Sequence, residues 1–357
     1  MPGRALRPAG VPALRLRQRA VRAAGGARRD GAGPEAPARR LIVRVVPLEA
    51  FRDKVSFTVA VAAVERGFRA LGEGTARLPD PLVFELPEIP AEVHVKAARV
   101  PGGRHIVLKL ATGFYKNRER GLPSGDGLFL LLDAETGVPD VLLEDHGYLT
   151  DLRTAAAVAL TLKYLAPRDA KQALLVGAGA LGRATARAIV AERPVERLTI
   201  WNRTPERAEA LARDLGSIVE TRVARALEPE VRAHRLIVTT TASTTPIIRA
   251  AWVQPGTHIT SAGTGSPEKI ELEPALLARA DKLVVDRRVQ TERYGNLHHA
   301  LATGAVTKAK VYAELGDLAA GRLAGRDATD EITVADLTGV GVQDAAIAQA
   351  VVEVLGL

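Results

Sequence analysis

The sequence predicts an α/β protein in which a doubly wound parallel sheet follows a largely antiparallel first domain. Between residues 173 and 286, short apolar runs typical of buried strands alternate with helical patterns, as in parallel βαβ units. A glycine-rich turn follows the first of these runs, where dinucleotide-binding folds carry one. Residues 82–133 instead hold short runs separated by proline- and glycine-rich turns, which is typical of antiparallel strands.

The first domain is predicted to open near Leu41 with an apolar run. Apolar side chains recur at helical spacing over 57–71, and Gly72 ends that helix. A long alanine-rich helix at 154–165 leads into the second domain. Between the two helices, four strands are predicted, at 82–86, 92–97, 105–111 and 127–133.

The second domain is predicted from its alternating strands and helices. The strands are at 173–176, 198–201, 236–240, 258–261 and 282–286, and the helices between them at 182–191 and 204–215. The tail is predicted to contain two or three more helices. These patterns place the nucleotide-binding domain at 151–310, the first domain at 41–150 and the tail at 311–357.

Composition excludes several classes of protein. The 357 residues include no cysteine, which excludes disulfides, thiolate catalysis and cysteine-bound metals. No apolar run approaches the ~18 residues of a membrane span, so no membrane partner is predicted and we expect a cytoplasmic protein. No metal site is predicted either, because His298 and His299 are adjacent and would point apart on a helix.

The net charge of +8 is confined to residues 1–40, which contain ten arginines, one aspartate and one glutamate. The rest of the chain is neutral and predicts no nucleic-acid partner. The arginine-rich segment has no sustained apolar pattern and is predicted to be disordered. A transit peptide would carry serine or threonine, and a nucleic-acid tail would carry aromatic residues. We favour a translated leader ahead of the native start, with Val43 as a candidate start because Met1 is the only methionine.

The segment that starts at Gln172, QALLVGAGALG, predicts a dinucleotide site. Gly177 permits a tight turn, Gly179 lets the backbone approach the pyrophosphate, and Gly182 lets helix and strand pack closely. The alternative is a glycine-rich turn that binds nothing. The residues predicted to bind the cofactor here are Gly177, Ala178, Gly179, Ala180, Leu181 and Gly182.

The strand after the glycine-rich helix has no carboxylate at its tip. NAD sites place Asp or Glu there for the ribose 2′-hydroxyl, whereas this chain has Asn202, Arg203 and Thr204, which suit a 2′-phosphate. We predict that these three residues bind the cofactor and that NADP(H) is preferred, with NAD(H) second. Alternatively, Arg203 only pairs with Glu206 or Glu209. The same cleft is predicted to be lined by Thr240, Thr241, Ala242, Ala262 and Gly263.

Further blocks carry closely spaced polar groups: 107–117 (VLKLATGFYKN), 121–127 (GLPSGDG), 147–157 (GYLTDLRTAAA), 256–272 (GTHITSAGTGSPEKIEL) and 284–295. Together they resemble the ornithine cyclodeaminase/μ-crystallin family over 41–357. The tail 332–348 (ITVADLTGVGVQDAAIA) is similar to the branch of ectoine-utilisation proteins and iminosuccinate reductases. The resemblance implies a homodimer in which the Rossmann domain is inserted in a substrate-binding and dimerisation domain, made of 41–150 and 311–357, with the active site in the cleft.

Lys109 and Arg153 match the family's substrate-contacting lysine and the arginine that binds the substrate carboxylate. A lysine between apolar neighbours can transfer a proton or bond a carboxylate, and the alternative is a surface lysine with a buried stem. A guanidinium near a helix N-terminus suits a carboxylate. Thr150 is predicted to cap the same helix.

The resemblance implies three more site residues, each with an alternative. Lys96 lies on the preceding strand, where it either binds substrate or has only a structural role. Ser124 matches a small hydroxyl near the substrate. Asp286 matches a catalytic aspartate after the last strand of the nucleotide-binding domain, or it caps a helix.

The chain also departs from the family pattern. Gly265 stands where cyclodeaminases and alanine dehydrogenases carry an aspartate that acts as acid or base. Asn296 replaces an expected glutamate, and Pro81 stands near an expected arginine. Lys96 can replace that arginine as a carboxylate ligand, which would suit a dicarboxylate or a differently posed imino acid.

The sequence therefore predicts an NAD(P)H-dependent imine reductase or amino-acid dehydrogenase that acts on a small 2-imino or 2-amino acid. Lys109, or a water that it orders, would supply the proton. One alternative is a cyclodeaminase-type ammonia-lyase with bound NAD, against which Gly265 counts. The other is a non-catalytic protein that binds NADPH and a small ligand, like μ-crystallin.

Overall fold

A computed structural model describes residues 43–86 and 88–357 of the chain, so the predictions for residues 1–40 lie outside the described part. Six strands form a first sheet: β1 Arg44–Pro47, β2 Leu82–Leu86, β3 Ala91–Ala98, β4 His105–Phe114, β5 Gly125–Asp133 and β6 Pro139–Glu144. Their order is β1-β6-β5-β4-β3-β2, and every neighbouring pair is antiparallel except β1 with β6. The largely antiparallel first part is thus confirmed, with β6 as a strand that the sequence analysis missed.

Three helices accompany the first sheet: α1 Leu48–Phe51, α2 Phe57–Gly72 and α3 Tyr148–Leu165. Helix α2 begins after Ser56, whose side chain accepts a hydrogen bond from the Val59 N–H. Helix α3 begins six residues earlier than predicted, after Gly147 in a left-handed conformation. Thr150 therefore lies inside the first turn, and the prediction that it caps the helix is wrong.

The second sheet is entirely parallel and confirms the doubly wound fold. Its eight strands are β7 Gln172–Val176, β8 Arg197–Trp201, β9 Glu220–Val223, β10 Leu236–Thr239, β11 His258–Ser261, β12 Lys282–Val285, β13 Val311–Glu314 and β14 Thr333–Asp336. Its order is β13-β12-β14-β11-β10-β7-β8-β9. The helices between the strands are α4 Ala180–Glu192, α5 Pro205–Leu215, α6 Leu227–Ala233, α7 Pro274–Arg279, α8 Arg288–Thr291 and α9 Gly295–Ala302.

The tail after residue 311 differs from the prediction of helices alone. Strands β13 and β14 pair in the second sheet, with β14 between β11 and β12. The assignment of residues 311–357 to the first domain is therefore wrong for β13 and β14, which belong to the second sheet. Runs of four residues are too short for their periodicity to separate strand from helix, so these strands are revealed only by their pairing with β11 and β12.

The remaining helices of the tail, α10 Leu315–Ala319 and α11 Gly341–Leu355, pack against α2 instead. Helix α11 also lies on β3 and β4 of the first sheet. The contact is close because it is made by glycines: a Cβ on Gly67 would lie 2.9 Å from the Val342 carbonyl oxygen, and one on Gly341 would lie 2.7 Å from that of Ala97. These approaches fix the N-terminus of α11 against the C-terminal end of β3.

Candidate active site

A cavity of about 260 Å³ lies between the two sheets. One wall is the α11 side of β3 and β4 with the start of α3, and the other comprises the loops that follow β10, β11 and β14 at the carboxyl edge of the parallel sheet. This edge is where open α/β sheets bind ligands. The cavity brings together these predicted residues: Lys96, Lys109, Arg153, Leu181, Thr240, Thr241, Ala242, Ala262 and Gly263.

Two lysines face each other across neighbouring strands of the cavity wall. Lys96 on β3 and Lys109 on β4 are directly opposite in the strand register, and both are buried. The Lys109 Nζ lies 3.1 Å from an oxygen of Asp344, so the alternative of a surface lysine is wrong. The Lys96 Nζ donates a hydrogen bond of 2.6 Å to the Gly339 carbonyl oxygen.

Arg153 meets the same carboxylate from α3. Its Nε lies 3.0 Å from the Asp344 Oδ1, and its Nη1 donates to the Gln343 Oε1 at 2.7 Å. One buried carboxylate therefore neutralises only one of the two cations that it contacts. Neither Gln343 nor Asp344 was predicted. The available signal was a Gln-Asp pair at the start of an otherwise apolar helix, because buried polar residues need partners.

The charges in this cluster shift one another's pKa values. Burial, together with the neighbouring cations Lys109 and Arg153, lowers the pKa of Lys96 to about 7. Burial also lowers the pKa of Lys109, although Asp344 opposes that shift. Burial alone would raise the pKa of Asp344, but the surrounding cations outweigh it and the pKa falls below its usual range. Asp344 is therefore a fixed anion near neutral pH.

A second polar cluster lies at another part of the cavity and joins the two sheets. The Lys269 Nζ lies 3.0 Å from the Glu92 Oε1 and 2.9 Å from the Tyr115 hydroxyl oxygen, and Tyr115 donates to Glu92. His94 Nε2 lies 3.4 Å from the other Glu92 oxygen. None of these residues was predicted. Asp151 also lines the cavity, and burial raises its pKa to about 6.

Asp286, predicted to be catalytic, does not line this cavity. Its carboxylate accepts hydrogen bonds from the backbone N–H groups of Thr338 and Gly339, at 2.8 and 2.6 Å, and from the Thr338 hydroxyl. It therefore positions the loop whose Gly339 carbonyl oxygen contacts Lys96. Ser124, predicted near the substrate, lies in an adjoining cavity that shares Thr150 and Asp151 with this one.

Two of the three departures from the family pattern, Gly265 and Asn296, have different surroundings. Gly265 lines the cavity, and a Cβ built there meets only the Thr338 carbonyl oxygen at 3.5 Å, so there is room for a side chain. Asn296 is buried below the cavity. Its side chain accepts from the backbone N–H groups of Glu271 and Leu272 and donates to Ser261 and Asp336. Asn296 thus acts as a structural connector.

Glu271, also missed by the sequence analysis, holds the loops beside the cavity. Its buried carboxylate accepts hydrogen bonds from the Thr239 and Ser261 hydroxyls at 2.7 Å each and from the Gly263 N–H at 3.2 Å. Thr241 donates to it as well. One side chain therefore fixes the ends of β10 and β11, from which residues predicted to line the cofactor cleft project.

The predicted dinucleotide cleft adjoins the cavity. Gly177, Ala178 and Gly179 line it together with Asn202, Arg203 and Thr204, and Ala180 begins α4 just beyond them. Gly177 has a φ of 116°, and a Cβ on Gly182 would lie 2.3 Å from the Gly177 carbonyl oxygen. These features fit a pyrophosphate beside the N-terminus of α4.

The three residues after β8 that were predicted to bind the cofactor, Asn202, Arg203 and Thr204, differ in their contacts. Asn202 accepts a hydrogen bond from the Ala178 N–H at 3.1 Å and donates to the Thr204 carbonyl oxygen, so it braces the glycine-rich loop. Arg203 is exposed, and within residues 43–86 and 88–357 no carboxylate oxygen lies within 4.0 Å of it. Glu209 pairs with Arg225 instead, so the predicted alternative for Arg203 is not seen.

Two alanine substitutions are expected to separate folding from dinucleotide binding. Gly182→Ala places a methyl group against backbone and should lower the free energy of unfolding by about 1–3 kcal/mol. Gly179→Ala meets no atom within 4 Å and keeps an allowed φ of −84°, so stability should change by less than about 0.5 kcal/mol. Its methyl group should nevertheless weaken NADPH binding about tenfold or more. Urea unfolding and cofactor titration measure both effects, and unchanged NADPH affinity in Gly179→Ala would contradict the assigned cleft.

The part of the chain that the structure describes has no helix long and apolar enough to cross a membrane. The same part has no group of three or more histidine and acidic side chains placed to hold a metal ion.

Together, the parallel sheet, its glycine-rich turn and the adjoining cationic cavity define a Rossmann-type dinucleotide-binding protein. The chain belongs to the ornithine cyclodeaminase/mu-crystallin family, whose model matches residues 48–356. The predicted resemblance is thereby confirmed.

Three comparisons describe its relatives. An uncharacterized cyclodeaminase of Sinorhizobium fredii is 41% identical over 292 residues, which span 81% of this chain and 88% of the relative. The iminosuccinate reductase of Paracoccus denitrificans is 37% identical over 250 residues, spanning 70% and 77%. A solved archaeal alanine dehydrogenase dimer with bound NAD superposes with a TM-score of 0.82 at 29% identity, and the match covers 87% of this chain and 95% of that one.

Proposed function

We propose that the protein reduces a small 2-imino acid to the 2-amino acid with NAD(P)H. The observation that carries the proposal is the position of Lys96, Lys109 and Arg153, which line one cavity with the loops that follow β10 and β11. Within the described residues, Asp344 is the one carboxylate in contact with Lys109 and Arg153, and Lys96 contacts none, so this group of cations suits a substrate carboxylate. The iminosuccinate reductase among the relatives supports reduction of a C=N bond.

The chain's own residues would hold the substrate as follows. Arg153 meets Asp344 with its Nε, and the opposite edge of the guanidinium would donate to the substrate carboxylate. Gln343 Nε2 would be a second donor to that carboxylate. Within the described residues this buried amide nitrogen has no hydrogen-bond partner, which is costly unless a ligand supplies an acceptor. When bound, the reduced nicotinamide supplies hydride to the imine carbon. Thr241, Ala262 and Gly263 would place it against that carbon.

We further propose a preference for NADPH over NADH. The cleft lining contains Arg203 and Arg207 and no carboxylate, which favours a 2′-phosphate over a 2′-hydroxyl. Arg203→Ala is expected to raise the Kd of NADPH about 10- to 100-fold and to change that of NADH less than about threefold. Fluorescence titration measures both constants. Arg213→Ala, an exposed arginine of α5 outside the cleft lining, is the matched control, and equal losses for both cofactors would refute the preference.

The experiment that tests the reaction is NADPH oxidation by the full chain, followed optically. The substrates are oxaloacetate and pyruvate with ammonia, glyoxylate with methylamine, and the cyclic imine Δ1-pyrroline-2-carboxylate. Turnover with any of them establishes the reductase, and a preference for oxaloacetate with ammonia identifies a dicarboxylate substrate. Ammonia release from L-ornithine without net cofactor turnover would instead establish the lyase. NADPH binding without any turnover would indicate a binding protein.

We also propose a homodimer in which the first sheet packs face to face against the first sheet of a second copy of the chain. The face of this sheet opposite α11 is apolar and half-buried or exposed, and no helix of the described chain covers it. Its members alternate along the strands and lie opposite one another in register; they are Leu82, Phe84, Val93, Val95, Ile106, Leu108, Leu110, Leu128, Leu130, Leu132 and Leu142. Monomers rarely expose so continuous an apolar surface.

Leu110→Asp is expected to convert this dimer into monomers, because it places a charge at the centre of the paired faces. Light scattering coupled to gel filtration measures the mass. Ile218→Asp, an exposed apolar residue after α5, is the control and should leave the mass unchanged. A wild-type monomer would refute the proposal.

A further inference from the structure

We propose that Lys96, and not Lys109, donates the proton to the imine nitrogen. The inference rests on the proposed reduction of a 2-imino acid and assigns one of its steps to a residue. The two lysines are chemically identical and lie opposite each other on β3 and β4, so the difference between them comes from what each contacts.

Lys109 is held as a charged group by an ion pair with Asp344, which Arg153 shares. By contrast, no carboxylate oxygen of residues 43–86 or 88–357 lies within 4.0 Å of the Lys96 Nζ. Its single hydrogen bond goes to the Gly339 carbonyl oxygen, which orients the amine without fixing its charge. Giving up a proton from Lys109 would leave Asp344 less well compensated, whereas Lys96 gives up no ion pair.

The Gly339 carbonyl oxygen is itself held in place. Asp286, which follows β12, accepts from the backbone N–H groups of Thr338 and Gly339 and fixes the loop from below. Gln290 on α8 also donates to the Gly339 carbonyl oxygen, at 2.8 Å. Lys96 is therefore directed into the cavity by a rigid acceptor, as a proton donor has to be.

The charges around Lys96 come from every element packed against it. On its own strand, Glu92 is engaged by Lys269 and Tyr115, and His94 lies beside Glu92. The cations Lys109 on β4 and Arg153 on α3 disfavour its charged form, and the anions Asp344 on α11 and Asp286 favour it.

The balance of these charges, with burial as the largest cause, lowers the pKa of Lys96 to about 7. A donor with a pKa near the working pH is suited to general acid catalysis, because it is available as the acid and releases its proton readily.

The step balances as a reduction. When bound, the reduced nicotinamide would supply hydride to the imine carbon and would itself be oxidised, and the π pair of the C=N bond would move to nitrogen. That pair forms an N–H bond with a proton of the Lys96 ammonium, which becomes a neutral amine. Lys96 regains its proton from water after the product leaves. In the oxidative direction, neutral Lys96 takes the proton from the substrate amine.

The test compares Lys96→Arg, which keeps the charge but cannot release a proton near neutral pH, with Lys109→Arg. The substrate is the imine that the wild-type full chain reduces fastest. We expect Lys96→Arg to lower kcat about 100-fold or more, with KM for the imine changed less than about threefold. Lys109→Arg should act mainly on KM. Lys163→Arg, a remote lysine paired with Glu65, is the control for lysine replacement.

The pH profile supplies a second readout. Reduction needs protonated Lys96, so wild-type kcat should fall as the pH rises through the pKa of this group in the complex. In Lys96→Arg this descending limb should be absent. A third readout needs no turnover: in protein labelled with 15N-lysine, the Nζ signal that Lys96→Arg removes should titrate near neutral pH by NMR.

The outcomes separate the two proposals. If the wild type reduces an imine but Lys96→Arg keeps its kcat within about threefold, the assignment of Lys96 is overturned and the reductase stands. If Asp151→Asn lowers kcat and Lys96→Arg does not, Asp151 and not Lys96 is the proton donor. If the wild type reduces no imine, both proposals fall. Should Lys96→Arg not bind NADPH, Lys96→Gln takes its place.

Discussion

Replacing Arg153 by alanine is expected to raise KM for the imino acid about 100-fold, while the Kd of NADPH changes less than about threefold. The guanidinium is buried in the cavity wall, and in the proposed function it would supply charge-assisted hydrogen bonds to the substrate carboxylate, whose loss would cost about 2–4 kcal/mol. The glycine-rich loop lies outside its contacts with Gln343 and Asp344, so cofactor binding should persist. Steady-state kinetics and cofactor titration of the same sample measure the two effects.

Arg153→Lys is the matched variant, because it keeps the charge and removes the planar fork of donors. It should recover part of the lost affinity for the imino acid and leave NADPH binding unchanged. If Arg153→Ala loses NADPH binding as strongly as substrate binding, Arg153 does not serve the substrate alone and the assigned roles are wrong.

Replacing Asp344 by alanine is expected to lower the free energy of unfolding by about 3–5 kcal/mol. The substitution removes the one buried carboxylate that contacts Lys109 and Arg153, and it leaves both cations in the cavity wall without compensation. Urea unfolding measures the change. Glu220→Ala breaks the exposed pair between Arg197 and Glu220 and should cost less than about 1 kcal/mol, so it is the control for losing an ion pair.

The contribution of Asp344 to the free energy of unfolding should also depend on pH. Its pKa is lower in the folded protein than the ordinary 3.8, so the folded state binds its proton less readily than the unfolded state. Its stabilisation is therefore fully present above about pH 4 and is lost as the pH falls through the folded-state pKa. The difference in stability between the wild type and Asp344→Asn should shrink in that range. A difference that is constant from pH 7 to about pH 2 would contradict the ion-pair account.

The two polar clusters of the cavity show which site residues can be predicted from sequence and which cannot. Lys109 and Arg153 were predicted because they match the substrate-contacting positions of the family that the sequence resembles. Asp344, Glu92 and Lys269 were not predicted as site residues, and their contacts follow from the partners that folding brings to them. Asp286 was predicted to be catalytic from the resemblance, and its carboxylate accepts hydrogen bonds from the backbone N–H groups of Thr338 and Gly339.

The sequence by itself determined five strands of the second sheet, the glycine-rich turn and α2, because these depend on periodicity and turn residues within a few positions of each other. It did not determine β9, β13 or β14, whose four-residue runs become strands only by pairing with neighbouring strands of the sheet. It also assigned proton transfer to Lys109 and left Lys96 with a substrate-binding or structural role. The contacts of the two lysines were decided by α11, which brings Asp344 to Lys109, and by the loop before it, which leaves Lys96 beside the Gly339 carbonyl oxygen. The energy of a buried charge depends on such distant partners.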